Sequence, residues 1–208
     1  MTIHIGYIMN NAAFTLSKQK VNPEHKRYII ALHVNEEKPL IEFAEKHFAS
    51  VAENYLLGKD SHPHITLVQF YATEVDYAKI VYFLETITTR PKPTILGMQF
   101  GYDSKDKEVL WAGLIVKRDE PLVGLHEQLV KFLTRHNIPC LIPTNELYAP
   151  HITLARIRTN TIASSRFEPT PNFNLVIGIG DEFGQLKEIT RDFPKPTLRL
   201  ESTCCVIS

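Results

Sequence analysis

The segment Pro63-His64-Ile65-Thr66-Leu67 returns unchanged as Pro150-His151-Ile152-Thr153-Leu154, 87 residues further on (151 minus 64). An identical pentapeptide appearing twice in 208 residues points to a duplicated supersecondary unit. Each copy opens a run of β-branched and apolar residues after a Pro-containing loop, so both read as the starts of strands. On a strand, residues i and i+2 share a face. His64 and Thr66 therefore point one way while Ile65 and Leu67 point into a core, and His151, Thr153, Ile152 and Leu154 repeat the arrangement. If the two units pack about a pseudo-two-fold axis, two imidazoles and two hydroxyls line one cleft from opposite walls. With an unperturbed pKa near about 6.5, either ring can take or give a proton around neutrality. The hydroxyls can donate to non-bridging phosphoryl oxygens. Such a set suits cleavage of a phosphodiester at a ribose hydroxyl, with one ring deprotonating the nucleophile and the other protonating the leaving oxygen. The chemistry asks for no metal and no cofactor.

A single His-Ile-Thr-Leu segment would read as a structural histidine at a strand start; the second copy reverses that preference. The other histidines (His4, His25, His33, His47, His62, His126 and His136) have no such partner and read as surface or helix residues, with His62 at the rim of the cleft. Tyr148 and Phe183 are candidates for stacking on a base. Arg156 is a candidate substrate contact, although strict alternation sends Arg156 and Arg158 to the face away from His151, where inter-strand roles weigh more. Trp111 reads as core.

The elements that must hold these residues follow from periodicity. Arg27 to Val34, His64 to Tyr71, Thr94 to Tyr102, Glu108 to Val116, His151 to Arg158, Phe173 to Gly180 and Gln185 to Thr190 read as strands, and Ile3 to Met9 as a further short one. Apolar residues at helical spacing predict helices over Glu37 to Leu57, Val75 to Thr88, and from Asp119 as cap to about His136. The pattern is α+β, with mixed or antiparallel sheets in two lobes around a central cleft. It divides the chain into an extension (1–25), a bilobal domain (26–192) and a tail (193–208).

Lys plus Arg equals Asp plus Glu at 23 each, so no global basic field would hold long nucleic acid. A nucleotide or short RNA gripped locally is the expected partner. Three cysteines, with Cys204 and Cys205 adjacent, form no disulfide framework and suggest a reducing, cytoplasmic setting. Neither Cys-x-x-Cys nor His-Glu-x-x-His occurs, so the common zinc spacings are absent. No secretory signal and no apolar run long enough to span a membrane is expected.

The paired motifs resemble the signature of the two-histidine phosphoesterase superfamily, His-φ-Thr/Ser-φ once per lobe with φ apolar. The second copy, within Ala149-Pro150-His151-Ile152-Thr153-Leu154-Ala155-Arg156, is similar to the 2′-5′ RNA ligase and cyclic phosphodiesterase branch. The resemblance covers roughly residues 26 to 190. It implies a bilobal fold, a metal-free site at His64, Thr66, His151 and Thr153, and action on 2′,3′-cyclic or 2′,5′-linked nucleotides. Which ring is acid and which base stays open.

The last four residues, Cys205-Val206-Ile207-Ser208, fit a C-a-a-X prenylation signal, and Cys204 could carry a second lipid. The expectation is a protein tethered to the cytosolic face of a membrane, in a eukaryote or delivered into a eukaryotic host. Rival readings are a 2′,5′-oligoadenylate phosphodiesterase, an RNA-end-processing enzyme or 2′,5′ ligase, and a non-catalytic nucleotide- or RNA-binding module held at membranes.

Overall fold

In β1 (Lys26–Val34) every residue from Tyr28 to Leu32 is buried, so both faces of the strand are covered and its apolar residues run without alternation. The computed structural model describes residues 25–58, 61–103, 106, 108–158 and 170–194. After β1 come α1 (Lys38–Phe48), β2 (Ala52–Leu56), β3 (His64–Ala72), α2 (Glu74–Thr86), β4 (Ile95–Tyr102), β5 (Leu110–Val116), α3 (Glu120–Arg135), β6 (His151–Ile157), β7 (Phe173–Gly180) and β8 (Leu186–Phe193). They build two four-stranded sheets, β3-β1-β7-β8 and β2-β6-β5-β4. Every pairing is antiparallel, so of the two sheet types expected only one is present.

The helices start where the chain offers a cap. Thr73 accepts the backbone N–H of Asp76 at the start of α2, and Asp119 accepts that of Leu122 at the start of α3, with Pro121 in the first turn. Each such cap contributes about 1 kcal/mol. α3 buries Leu122, Leu125, Leu129 and Leu133 on one stripe and packs on β3, while α1 packs on β6. One core joins both lobes, since Ile30, Leu32, Leu67, Phe70, Leu114, Ile152, Leu154 and Leu129 belong to the same buried cluster.

The helix expected over 37 to 57 is shorter. α1 stops at Phe48, and Ala52–Leu56 form the edge strand β2 instead. The spacing of Val51, Ala52 and Tyr55 serves either structure, and tertiary pairing decides. Ala52 and Leu56 face Ile157 and Ala155 of β6, and Leu57 N–H donates to the Leu154 carbonyl at 2.8 Å. Asn54, with φ of 62°, adopts a backbone that no right-handed helix tolerates. The remaining elements start and end within a few residues of expectation. The strand expected at Ile3 to Met9, the tail from 195 onward and Cys204 and Cys205 lie outside the described residues, while Phe193, expected to open the tail, ends β8. Among the described residues, no helix is long and apolar enough to cross a membrane.

Candidate active site between the two motifs

The duplication reaches the backbone. β3 pairs with β1 through His64↔His33 and Thr66↔Ala31, then skips Leu67 before Val68↔Ile30. β6 pairs with β5 through His151↔Ile115 and Thr153↔Gly113, then skips Leu154 before Ala155↔Ala112. Both copies thus carry a β-bulge at the residue after the threonine, the kind of irregularity that re-aims side chains next to sites. A bulge frees a carbonyl, and both are satisfied: Leu67 O accepts from Nδ1 of His126 at 2.6 Å, and Leu154 O accepts from Leu57 N–H.

The proline of each pentapeptide has a physical role. A residue before proline is driven into extended backbone. His64 Nδ1 sits 2.7 Å from the His62 carbonyl and His151 Nδ1 sits 2.8 Å from the Ala149 carbonyl, two residues back across the proline in each case. Carbonyls only accept, so each Nδ1 is a donor; His151 Nε2 is then left to exchange protons, while His64 Nε2 also faces a carbonyl, that of Gly184 at 3.3 Å. The proline carbonyls hold the strand starts by accepting from Val34 N–H at 3.0 Å and Val116 N–H at 3.1 Å.

Strands β3 and β6 come together at the seam of the lobes, where the Tyr148 hydroxyl donates to Thr66 O at 2.9 Å. His64 and His151 are near enough for the charge of His151 to disfavour protonation of His64. Burial is the larger cause and pushes the His64 pKa down to about 4, against the opposing pull of the His62 and Gly184 carbonyls. His151 is exposed to solvent, yet the mass of protein around it also lowers its pKa, against the pull of the Ala149 carbonyl.

A single turn connects the lobes over His64. Asp181 Oδ1 accepts the N–H groups of Phe183 and Gln185, both at 2.9 Å, and Gly184 takes φ of 81°, a backbone that favours glycine. This places the Gly184 carbonyl 3.3 Å from His64 Nε2 and Phe183 beside Trp111 of the other lobe, ring centroids 6.1 Å apart. Tyr55, 5.8 Å from Trp111 and with its hydroxyl 3.1 Å from Ser61 Oγ, extends the aromatic wall.

Arg156 corrects the alternation argument. Across the bulge it pairs with Trp111, just as Thr153 pairs with Gly113 and His151 with Ile115, so Arg156 shares the face of His151 and Thr153. Its Nε donates to Asp103 Oδ2 at 3.1 Å, which also accepts from Trp111 Nε1 at 3.0 Å. Trp111 is half-buried on this wall and not in the core where it was expected. Phe183 is 52% exposed. Tyr148 is not. It is buried, stacked on His126 with centroids 3.8 Å apart, and its hydroxyl bridges the lobes. Arg158 ties Glu53, Asp106 and Glu108 together at 2.8 to 3.0 Å. His126, expected as a surface or helix residue, lies on α3 and is fully buried, with its Nδ1 beside the Leu67 carbonyl.

Sequence reasoning missed one cluster. Glu37 Oε1 lies 2.6 Å from His33 Nε2 and 2.7 Å from His62 Nδ1. The His33–Glu37 spacing of four was visible, but β1 ends between them, so helical periodicity could not pair them.

No family model matches the chain. Over 121 residues, 55% of its length, it is 25% identical to replicase polyproteins 1a and 1ab of Breda virus 1, and it spans 2% of the length of those curated relatives. Among solved structures it is similar to E. coli LigT complexed with 3′-AMP, with a TM-score of 0.59 and 16% identity over 84% of this chain and 99% of that one. LigT complexed with NADP+ gives 0.59 at 14% identity (82% and 97% covered), and a crystal structure of a phosphoesterase gives 0.58 at 16% (82% and 98%). With its two four-stranded antiparallel sheets, the chain has the fold of E. coli LigT and of that phosphoesterase.

Proposed function

We propose that this chain is a phosphodiesterase that hydrolyses 2′,3′-cyclic or 2′,5′-linked nucleotides, with His64 and His151 as its proton-transfer pair. The observation that supports the reading is that the two motif histidines lie near each other at the seam of the lobes, each with its Nδ1 beside the carbonyl two residues back. A neutral ring takes the proton of the attacking water as its oxygen bonds to phosphorus. The protonated ring gives its Nε2 proton to the departing ribose oxygen as the P–O bond breaks. The hydroxyls of Thr66 and Thr153 donate to the non-bridging oxygens as charge accumulates there. The burial of His64 favours its neutral form and hence the role of base in the free protein, leaving the solvent-exposed His151 as the acid.

Nucleotide as the substrate class is supported by the LigT complexes with 3′-AMP and NADP+, and by the exposed Phe183 beside Trp111 and Arg156. Base stacking on an aromatic wall fits a small ligand in a chain of zero net charge.

The test is turnover of nucleoside 2′,3′-cyclic phosphates, 2′,5′-linked oligoadenylate and 3′,5′-linked controls with EDTA present. We expect activity on one of the first two classes, reduced about 10²- to 10⁴-fold in His64→Ala and in His151→Ala. Unchanged turnover in either folded variant would overturn the reading.

A further inference from the structure

We propose that His33, Glu37 and His62 form a binding site for one zinc-class divalent cation, separate from the phosphoester chemistry. The three ligating atoms, His33 Nε2, Glu37 Oε1 and His62 Nδ1, lie within 4.8 Å of one another. Two imidazoles and one carboxylate are a donor set that suits Zn2+ and leaves a fourth position for water or a ligand. The side chains are 14%, 27% and 30% exposed, so the cluster is sheltered but open on one side.

The backbone sets the ligands before any ion arrives. His33 is held on β1 between His64 of β3 and Asn174 of β7. His62 N–H donates to the Leu186 carbonyl at 2.9 Å. The position of Glu37 is the second observation. It is the residue preceding α1, where Thr73 and Asp119 cap their own helices with a side-chain oxygen. Glu37 has helical φ and ψ of −68° and −35° and makes no side-chain cap. Its carboxylate is turned to the two histidines, and the helix start goes without a contribution of about 1 kcal/mol. Such a break in local rules marks functional positions.

The ion takes no proton from the substrate. Its effect on the neighbouring chemistry runs through the backbone, because the His62 carbonyl is the group that orients His64. An ion on His62 Nδ1 fixes the residue whose carbonyl holds the His64 ring.

The experiment titrates Co2+ and then Zn2+ into chelator-stripped full-length protein. We expect one equivalent of Co2+ with a visible spectrum of tetrahedral type, displaced by Zn2+. In Glu37→Gln and His62→Ala the Zn2+ affinity should fall by more than about 100-fold, since losing even an outer-shell partner costs about 10- to 100-fold. Because these variants can also loosen the fold, hyperfine-shifted proton signals of the His33 and His62 rings in Co2+-loaded wild type provide a second reading. Absence of stoichiometric binding, binding that survives both variants, or shifts confined to other histidines would overturn the site. The readout is metal occupancy, so its failure leaves the reading of His64 and His151 standing.

Discussion

The two copies of Pro-His-Ile-Thr-Leu are the same molecule locally and different molecules electrostatically. Each has the proline-directed carbonyl on Nδ1, the bulge after the threonine and a paired neighbouring strand. Around them the lobes diverge. His64 is buried beneath the 181–185 turn with a second carbonyl on its Nε2, whereas His151 is exposed. Five residues past the histidine, the first lobe has Gln69 and the second has Arg156. Five residues of sequence thus set rotamer and backbone, while proton affinity comes from distant segments, above all the β7–β8 turn. A duplicated unit can in this way supply a base and an acid from one motif.

Exchanging what differs at the fifth position should give the largest stability effect. Arg156 and Asp103 have side chains 15% and 8% exposed. Removing one partner of a buried pair costs about 3–5 kcal/mol, because the other charge stays buried. Arg156→Leu should lose stability on this scale in urea melts, moderated by the Trp111 N–H that still serves Asp103. Gln69→Leu should cost about 1 kcal/mol, since only the bond from Arg27 at 3.2 Å is lost and Gln69 Nε2 has no partner. Equal losses at the two positions would mean that the lobes do not differ in the way described.

The next effect is pH dependence. Above pH 6.5 His64 is neutral folded or unfolded and contributes nothing. Between 6.5 and about 4 the unfolded chain binds the proton and the folded one does not, so stability falls as the pH drops, and the loss is complete below about 4. The full span corresponds to about 3 kcal/mol. Urea midpoints at pH 7 and pH 4.5 should separate less in His64→Gln than in wild type, and His151→Gln should change the separation less. In the pH profile of kcat/KM the same assignment places the acid limb near 4, and the fall on the basic side, where His151 loses its proton, below 6.5.

This contrast also explains how much could be read in advance. The duplicated unit, most strands, and two of three helices were legible because period and caps are local. The face of Arg156 was not, because a single-residue bulge inverts the alternation and no residue type announces it. Tyr148 looked like a stacking platform beside the motif, but the unpaired carbonyls of Thr66 and Leu67 draw it and His126 inside. The Glu37 cluster needed β1, α1 and the loop before β3 to be assembled first.

The smallest expected effect tests the bulge itself. Opposite Thr66 stands Ala31, fully buried among Ile29, Val176 and Leu186; opposite Thr153 stands Gly113. A Cβ at Gly113 would lie 2.8 Å from the backbone oxygen of Ile152, an atom that cannot rotate away, so strands β5 and β6 approach more closely than a side chain allows. Gly113→Ala must push β6 outward between His151 and Thr153. It should cost about 1–3 kcal/mol, the range for overpacking, and lower kcat more than KM because the hydroxyl of Thr153 and the ring of His151 move relative to the first lobe. Ala31→Gly removes a buried methyl without moving a strand, so it should cost about 1 kcal/mol and leave kcat nearly unchanged. Urea melts and steady-state kinetics on the two variants separate these outcomes. A Gly113→Ala protein with wild-type kcat would mean that the close approach of β5 and β6 serves packing alone, and that the second lobe holds its catalytic pair no more tightly than the first.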